Sequence, residues 1–376
     1  MRIAMTLPWG SCLGGAEEQL QIILEGAHDS GHEVELLFFE AGPWQRELAA
    51  AGFHVEVIPA GRLRHVHRYI ATVARLAQSF RERQPDLIVN WSAKTQLYGS
   101  PAAVLAGMRD RVMWWNQMIP PPDSWLDRSA TLLPAIAVGC NAKAAAEAQE
   151  RLFPRRRTLV WYAGTRVPSD TATAAPLTLP EGVPVVGMVG RLQPWKGQDR
   201  LLRAQALLHE RGHDFHTVIV GGDAYGLSPE YAASLPPLIS SLGLEGAVTM
   251  TGQVPDAGPY LEQMDILVNA SDPEPFGNVL VEGMARGVAA VGVNSGGPGE
   301  YLDDRHTGML ARSGEPDAIA DALEPLLVSP SLRSSVAQAG HELFMREFTE
   351  AAMRKRFFDH LESVARNGSK SGPSSR

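Results

Sequence analysis

Residues 271–301 read SDPEPFGNVLVEGMARGVAAVGVNSGGPGEY. SDPEPFGN is broken by Pro and Gly and fits neither helix nor strand. Val279, Leu280, Met284 and Ala285 then recur at helical spacing and Gly287 stops the helix. AAVGV is a short buried strand, and NSGGPGE a second tight turn. Glu274 lies in the loop and Glu282 in the helix, with seven residues between them. The first amides of that helix, near Phe276, Gly277, Asn278 and Val279, lack intrahelical partners and sit at the positive end of the dipole. They predict a site for an anion or a polar hydroxyl beside Glu274. A carboxylate next to free amides suits a sugar, because it accepts from hydroxyls while the amides donate to hydroxyl or phosphate oxygens.

The same loop-helix-strand grammar runs through the chain. Strand-like 2–7, HEVELLFFE, FHVEVIPA, DLIVNWS and RVMWW alternate with helical stretches such as WQRELAAAG and 67–83. AIAVGCNAKAAAEAQ (135–149) reads as the last strand and helix of a first domain. VVGMVG, HTVIVGGDAYG and VTMTGQVPDAGPYLEQMDILVNAS continue the alternation in a second. Such alternation marks doubly wound parallel sheets. No G-x-G-x-x-G follows the first strand, which argues against a dinucleotide dehydrogenase. TRVPSDTATAAPLTLPEG (165–182) lacks periodicity and is the linker candidate. The domains expected are 1–168, 178–345, a final helix at about 346–366 and a Ser/Gly-rich disordered tail at 367–376.

The 376 residues suit two cores. A net charge of -8 argues against a nucleic-acid binder. Two cysteines, Cys12 and Cys140, cannot build a disulfide framework and fit a reducing compartment. No apolar run approaches the roughly 20 residues that span a bilayer, and MRIAMTLPWG reads as a first strand rather than a leader. A cytoplasmic protein is expected. GRLRHVHRY (61–69) and RLFPRRR (151–157) are basic. Solvated faces are the favoured reading, with peripheral contact at an anionic membrane, at its inner face, the most to expect beyond that.

Two further stretches carry chemistry. Arg191 and Lys196, between a strand end and the helix DRLLRAQALL, make a candidate diphosphate clamp: Arg offers a planar fork and Lys a compact charge. Gly14 and Gly15 precede the first helix and read either as a tight turn or as a phosphate approach. No Asp-x-Asp cation site stands out, so neither metal nor cofactor is expected. At least one of Trp114 and Trp115 is expected to be core.

The 271–301 string resembles the E-x7-E signature of the family 4 retaining glycosyltransferases, with both Glu, F-G-N, E-G-M-A-x-G and G-G-P in order. GRLxxxKG, from Gly190, matches the same family, and the GG-x-E turn is similar to it, as is the final helix at about 346–366, which the resemblance implies packs back on the first domain. The resemblance is strong from 185 to 301 and weaker in the first domain. It implies the GT-B fold, two Rossmann-like α/β domains facing across a cleft. It implies that Glu274 contacts a donor sugar and Glu282 the ribose. It also implies that Arg191, Lys196, Gly14 and Gly15 stabilise the leaving diphosphate, and that Val254 borders the base. Many members have W-x-x-His before an I-P pair where this chain has Gln117, which cannot titrate but can bind a sugar hydroxyl.

The expectation is a retaining, metal-independent hexosyltransferase. It would move sugar from a UDP-sugar, in preference to a GDP-sugar, onto a small-molecule, glycan or lipid-linked hydroxyl acceptor. Ala/Arg/Gly-rich usage suggests a bacterial source. A nucleotide-sugar epimerase or a non-catalytic nucleotide-sugar-binding protein of the same fold is the alternative. The donor sugar, linkage and oligomeric state are not legible.

Overall fold

The computed structural model describes residues 1–11, 14–61, 63–169, 177–223 and 226–368. The chain divides into two compact units, Met1–Ala163 with Glu350–Arg376, and Gly164–Thr349.

In the first unit, strands β1 (Arg2–Leu7), β2 (Glu33–Phe38), β3 (His54–Val57), β4 (Leu87–Asn90), β5 (Val112–Asn116), β6 (Ala137–Cys140) and β7 (Thr158–Val160) form one sheet. Between them run α1 (Gly15–Glu25), α2 (Pro43–Ala50), α3 (Val66–Arg83), α4 (Ala93–Leu105), α5 (Trp125–Leu132) and α6 (Lys143–Glu150). The strand order is β3-β2-β1-β4-β5-β6-β7, all parallel. Alternation on β1 shows why both faces are covered: Ile3, Met5 and Leu7 enter one core, and Ala4 the other. Trp114 and Trp115 point to opposite cores, and both are buried. The strand β7 lies beyond the stretch 135–149 expected to hold the domain's last strand. It is three residues long and follows Arg155, Arg156 and Arg157, so it offers no apolar pattern. Pairing with Val138, Gly139 and Cys140 creates it.

In the second unit the strands are β8 (Val185–Val189), β9 (His216–Val220), β10 (Val248–Met250), β11 (Ile266–Asn269), β12 (Ala289–Val293) and β13 (Met309–Ala311). Its helices are α7 (Gln198–Glu210), α8 (Pro229–Ser241), α9 (Gly258–Leu261), α10 (Asn278–Ala285), α11 (Pro298–Tyr301), α12 (Pro316–Val328) and α13 (Pro330–Glu347). The parallel sheet runs β10-β9-β8-β11-β12-β13. Chain order reverses between β8 and β11, which pair through Ile266 with Val186 and Leu267 with Gly187. Loops leaving the carboxyl ends of two such strands diverge to opposite faces and leave a crevice.

Helix α14 (Glu350–Gly368) belongs to the first unit. Met353, Phe357, Leu361 and Val364 recur at helical spacing and are buried. The Phe357 ring lies 5.3 Å from Trp161 and 5.9 Å from Trp115, edge on, and the Trp161 indole donates to the Met353 carbonyl at 3.1 Å. The final helix starts at Glu350 rather than 346, because residues up to Glu347 finish α13 and Phe348 packs against Phe276 and Tyr301 in the second unit. Of the expected linker, residues 170–176 lie outside the described residues, as do Cys12 and residues 369–376 of the expected tail. Among the described residues no helix is long and apolar enough to cross a membrane.

Candidate functional site

The switch point of the second sheet gathers the residues of interest. After β8, Gly190 donates its amide to the Val220 carbonyl at 2.9 Å, and the chain turns through Arg191 into the single 3-10 turn Pro194–Lys196 that opens α7. After β11 comes the 271–277 loop, which opens α10.

The two loops meet. Lys196 Nζ lies 2.9 Å from Glu274 Oε2. Asn269 Nδ2 donates to the same oxygen at 3.1 Å, and the Lys196 ammonium sits 4.0 Å from the centre of the Trp195 ring. Glu274 is 6% exposed. Burial opposes its charge, but the Lys196 ammonium and the hydrogen bonds from Lys196 and Asn269 outweigh this, so its carboxyl stays below its ordinary value. Arg191 is exposed, and its guanidinium makes no hydrogen bond or ion pair among the described residues. Its carbonyl is held by the Gln198 side chain at 2.9 Å.

Backbone bonds fix where Glu274 stands. Its amide donates to the Ser295 carbonyl at 3.0 Å, and its carbonyl accepts from the Gly297 amide at 2.9 Å. The two turns at either end of the 271–301 string therefore pair with one another. Phe276, 2% exposed, anchors the loop against Tyr301 and Phe348. Gly277 caps α10 with φ +89°, and its carbonyl accepts from the Tyr301 hydroxyl at 3.3 Å. Burial pushes that phenol well above its usual range. In α10, Leu280, Val281, Met284 and Ala285 face the core, while Asn278, Val279 and Glu282 share the partly exposed side. Glu282 sits in the second turn, where its carbonyl accepts from Arg286 at 3.1 Å. Val254 is half-buried in the loop after β10, tied to β9 where the Gly221 amide donates to the Gly252 carbonyl at 3.1 Å.

Lys196 and Glu274 are thus in contact, Arg191 and Gly190 share the loop of Lys196, and Glu282 stands on the helix that Glu274 introduces. Gly14, Gly15 and Gln117 belong to the first unit. Gly14 precedes α1 with extended backbone and accepts the Glu17 and Glu18 amides. Gln117 follows β5; its amide nitrogen is buried without a hydrogen-bond partner among the described residues. Sequence reasoning missed Asn269 and Trp195. A polar residue closing the buried run ILVN, and an aromatic beside Lys196, were the available signals. Among the described residues no group of three His, Cys, Asp or Glu comes together as a metal site.

Comparison with known proteins places the chain among glycosyltransferases in sequence and fold. Residues 170–343 match the family described as Glycosyl transferases group 1, and residues 14–161 the Glycosyl transferase 4-like domain. A lipopolysaccharide core biosynthesis glycosyltransferase, LpsE of Rhizobium meliloti, is 30% identical over 60% of this chain and 63% of its own. A D-inositol 3-phosphate glycosyltransferase of Nocardia farcinica is 36% identical over 43% of this chain and 36% of its own. The chain thus spans less than two thirds of these two curated relatives. The crystal structure of Anabaena HepE with UDP-glucose superposes with a TM-score of 0.80 at 25% identity, covering 96% of this chain and all of that one.

Proposed function

We propose that this chain acts as a family 4 glycosyltransferase, a reading supported by the two family models that match its halves and by the GT-B fold it shares with HepE, and that it moves a hexose from a UDP-sugar to a hydroxyl acceptor with retention of anomeric configuration. The observation that carries the reading is the 2.9 Å contact between Lys196 and Glu274 at the β8–β11 switch point. An ammonium has three donors. With one on Glu274, the others remain for a diphosphate, and Arg191 adds a fork beside it. Glu274 accepts from the sugar hydroxyls, Glu282 from the ribose, and the first amides of α10 meet phosphate oxygen. A uridine donor draws support from HepE, whose structure holds UDP-glucose.

In the proposed reaction the acceptor oxygen bonds to the anomeric carbon on the face the phosphate leaves. The bond from that carbon to the phosphate oxygen breaks, and the acceptor proton passes to the departing oxygen. Arg191 and Lys196 stabilise the charge that develops there. No protein base is required, which suits Gln117 at a position where many members of the family carry His.

The test is a transfer assay with UDP- and GDP-sugars across a hydroxyl acceptor panel, with and without chelator, and NMR of the product's anomeric centre. Transfer from UDP-sugar with retention, unaffected by chelator, is expected. Inversion, a chelator-sensitive rate, or conversion of the donor to its epimer without acceptor would each overturn the reading.

A further inference from the structure

A second concave site lies in the first unit, lined by none of the residues assigned above. Ile119, Pro120, Arg128, Leu132, Leu152 and Phe153, from the loop after β5, α5 and the segment that follows α6, enclose about 430 Å³. Its rim is unusually apolar for a surface. Of its lining, Phe153 is 81% and Leu132 60% exposed, and next to it in the chain Trp125 is 65% and Met118 57% exposed. Trp125, Arg128 and Leu132 stand at i, i+3 and i+7 on α5, so they form one stripe on one face of the helix.

The charge of the stretch of chain that supplies this groove runs against the rest of the molecule. Residues 118–157 carry Arg128, Lys143, Arg151, Arg155, Arg156 and Arg157 against Asp123, Asp127, Glu147 and Glu150, six basic to four acidic, in a chain of net charge -8. Arg151 and Arg155 pair with Glu147 and Glu150, and Arg156 caps α5 through the carbonyls of Thr131 and Leu133. Arg128 lines the groove, is exposed and makes no ion pair among the described residues, whereas Arg157 shares the opposite face of the sheet with Leu159, near His360 of α14.

Large exposed rings beside an unpaired guanidinium fit one environment well. The headgroup layer of a bilayer takes aromatic and apolar side chains at its acyl boundary and holds phosphates for the cations. We propose that this groove docks the first unit on a bilayer bearing anionic phospholipid, with Trp125, Leu132 and Phe153 entering the interface and Arg128 meeting phosphate. The proposal stands on residues that the transfer reading does not use.

Co-sedimentation of the full chain with vesicles of phosphatidylcholine, with and without phosphatidylglycerol, tests it. Binding to the acidic vesicles that weakens as salt rises is expected. Trp125→Ser and Phe153→Ser should each lower the partition coefficient about tenfold, and Arg128→Gln about fivefold. Thermal unfolding midpoints should stay close to wild type, because these side chains are exposed. Val66→Ser and Ile70→Ser, on the other exposed apolar and basic stretch in α3, should bind as wild type. Equal binding to neutral and acidic vesicles, indifference to Phe153→Ser and Trp125→Ser, or loss confined to the α3 variants overturns the proposal. So does a dimer in solution that Phe153→Ser disperses, which would assign the groove to a second copy of the chain.

Discussion

At the scale of single residues, Lys196 and Glu274 illustrate how burial changes the worth of a charge. Each is largely removed from water, so deleting one partner strands the other. Lys196→Met should therefore cost about 3 kcal/mol of stability in the second unit, read by urea unfolding; a loss within error would show that the pair is a weak surface bridge. The pair also has a pH signature. The Glu274 carboxyl releases its proton more readily when folded than at its ordinary value of 4.5. Its charge-linked stabilisation is complete above that value and is lost as pH falls through the lower folded one. Wild type should lose stability relative to Glu274→Gln as pH drops below 4.5, and parallel pH profiles would refute the linkage. For catalysis, Arg191→Ala separates the roles most cleanly, because Arg191 is exposed and its removal leaves packing intact. Its kcat should fall by about 10²- to 10³-fold with an unchanged unfolding midpoint, whereas near-normal turnover would remove Arg191 from the diphosphate clamp. These three residues stand out in the sequence through the motifs around them, since either cation alone reads as a surface charge, and the structure adds the contact between Lys196 and Glu274. Asn269 does not, since its role appears only when β11 and the loop after it are folded against one another.

At the scale of elements, the 271–301 string works because its two turns lie on each other. A Cβ on Gly297 would stand 2.4 Å from Phe276 Cα and 2.7 Å from the carbonyls of Phe276 and Pro275. Backbone cannot yield as a side chain can, so Gly297→Ala should push the loop of Glu274 away and cost about 3 kcal/mol, with a parallel loss of nucleotide affinity. Gly287 closes α10 at φ +69° in open space, so Gly287→Ala should cost only about 1 kcal/mol and leave affinity unchanged. Calorimetric titration of UDP alongside thermal unfolding measures both variants, and equal effects would contradict the docking of the two turns. Here the sequence told where glycine was needed but not why. Gly287 is required by its own backbone angle, a local matter that helix punctuation reveals. Gly297 is required by residues some twenty positions earlier, which periodicity cannot see. The strand β7 escaped for the same reason, as its partner β6 supplies the order that its three residues lack.

At the scale of the whole molecule, the alternation of strands and helices was enough to read two parallel α/β units, because a strand buried on both faces leaves an apolar run that needs no partner to recognise. Which unit the last helix joins is a different kind of fact. It depends on long-range packing, and the resemblance to other glycosyltransferases, rather than periodicity, carried the expectation that it returns to the first domain. The structure gives the physical reason. The first unit's core contains Trp91, Trp115 and Trp161, and the ring that fills the space among them is Phe357, 1% exposed and supplied from α14. Phe357→Ala should leave a cavity there costing roughly 3 to 5 kcal/mol. In a unit of this size that lowers its unfolding midpoint by about 10 °C. The second unit holds its own sheet, its own core and both members of the Lys196–Glu274 pair, so its transition, and the extra stability expected from the proposed UDP binding, should not move. Scanning calorimetry of the full chain with and without UDP separates the two. A single transition that shifts as one, or a lost response to UDP in Phe357→Ala, would mean that the two cores unfold together and that α14 serves both.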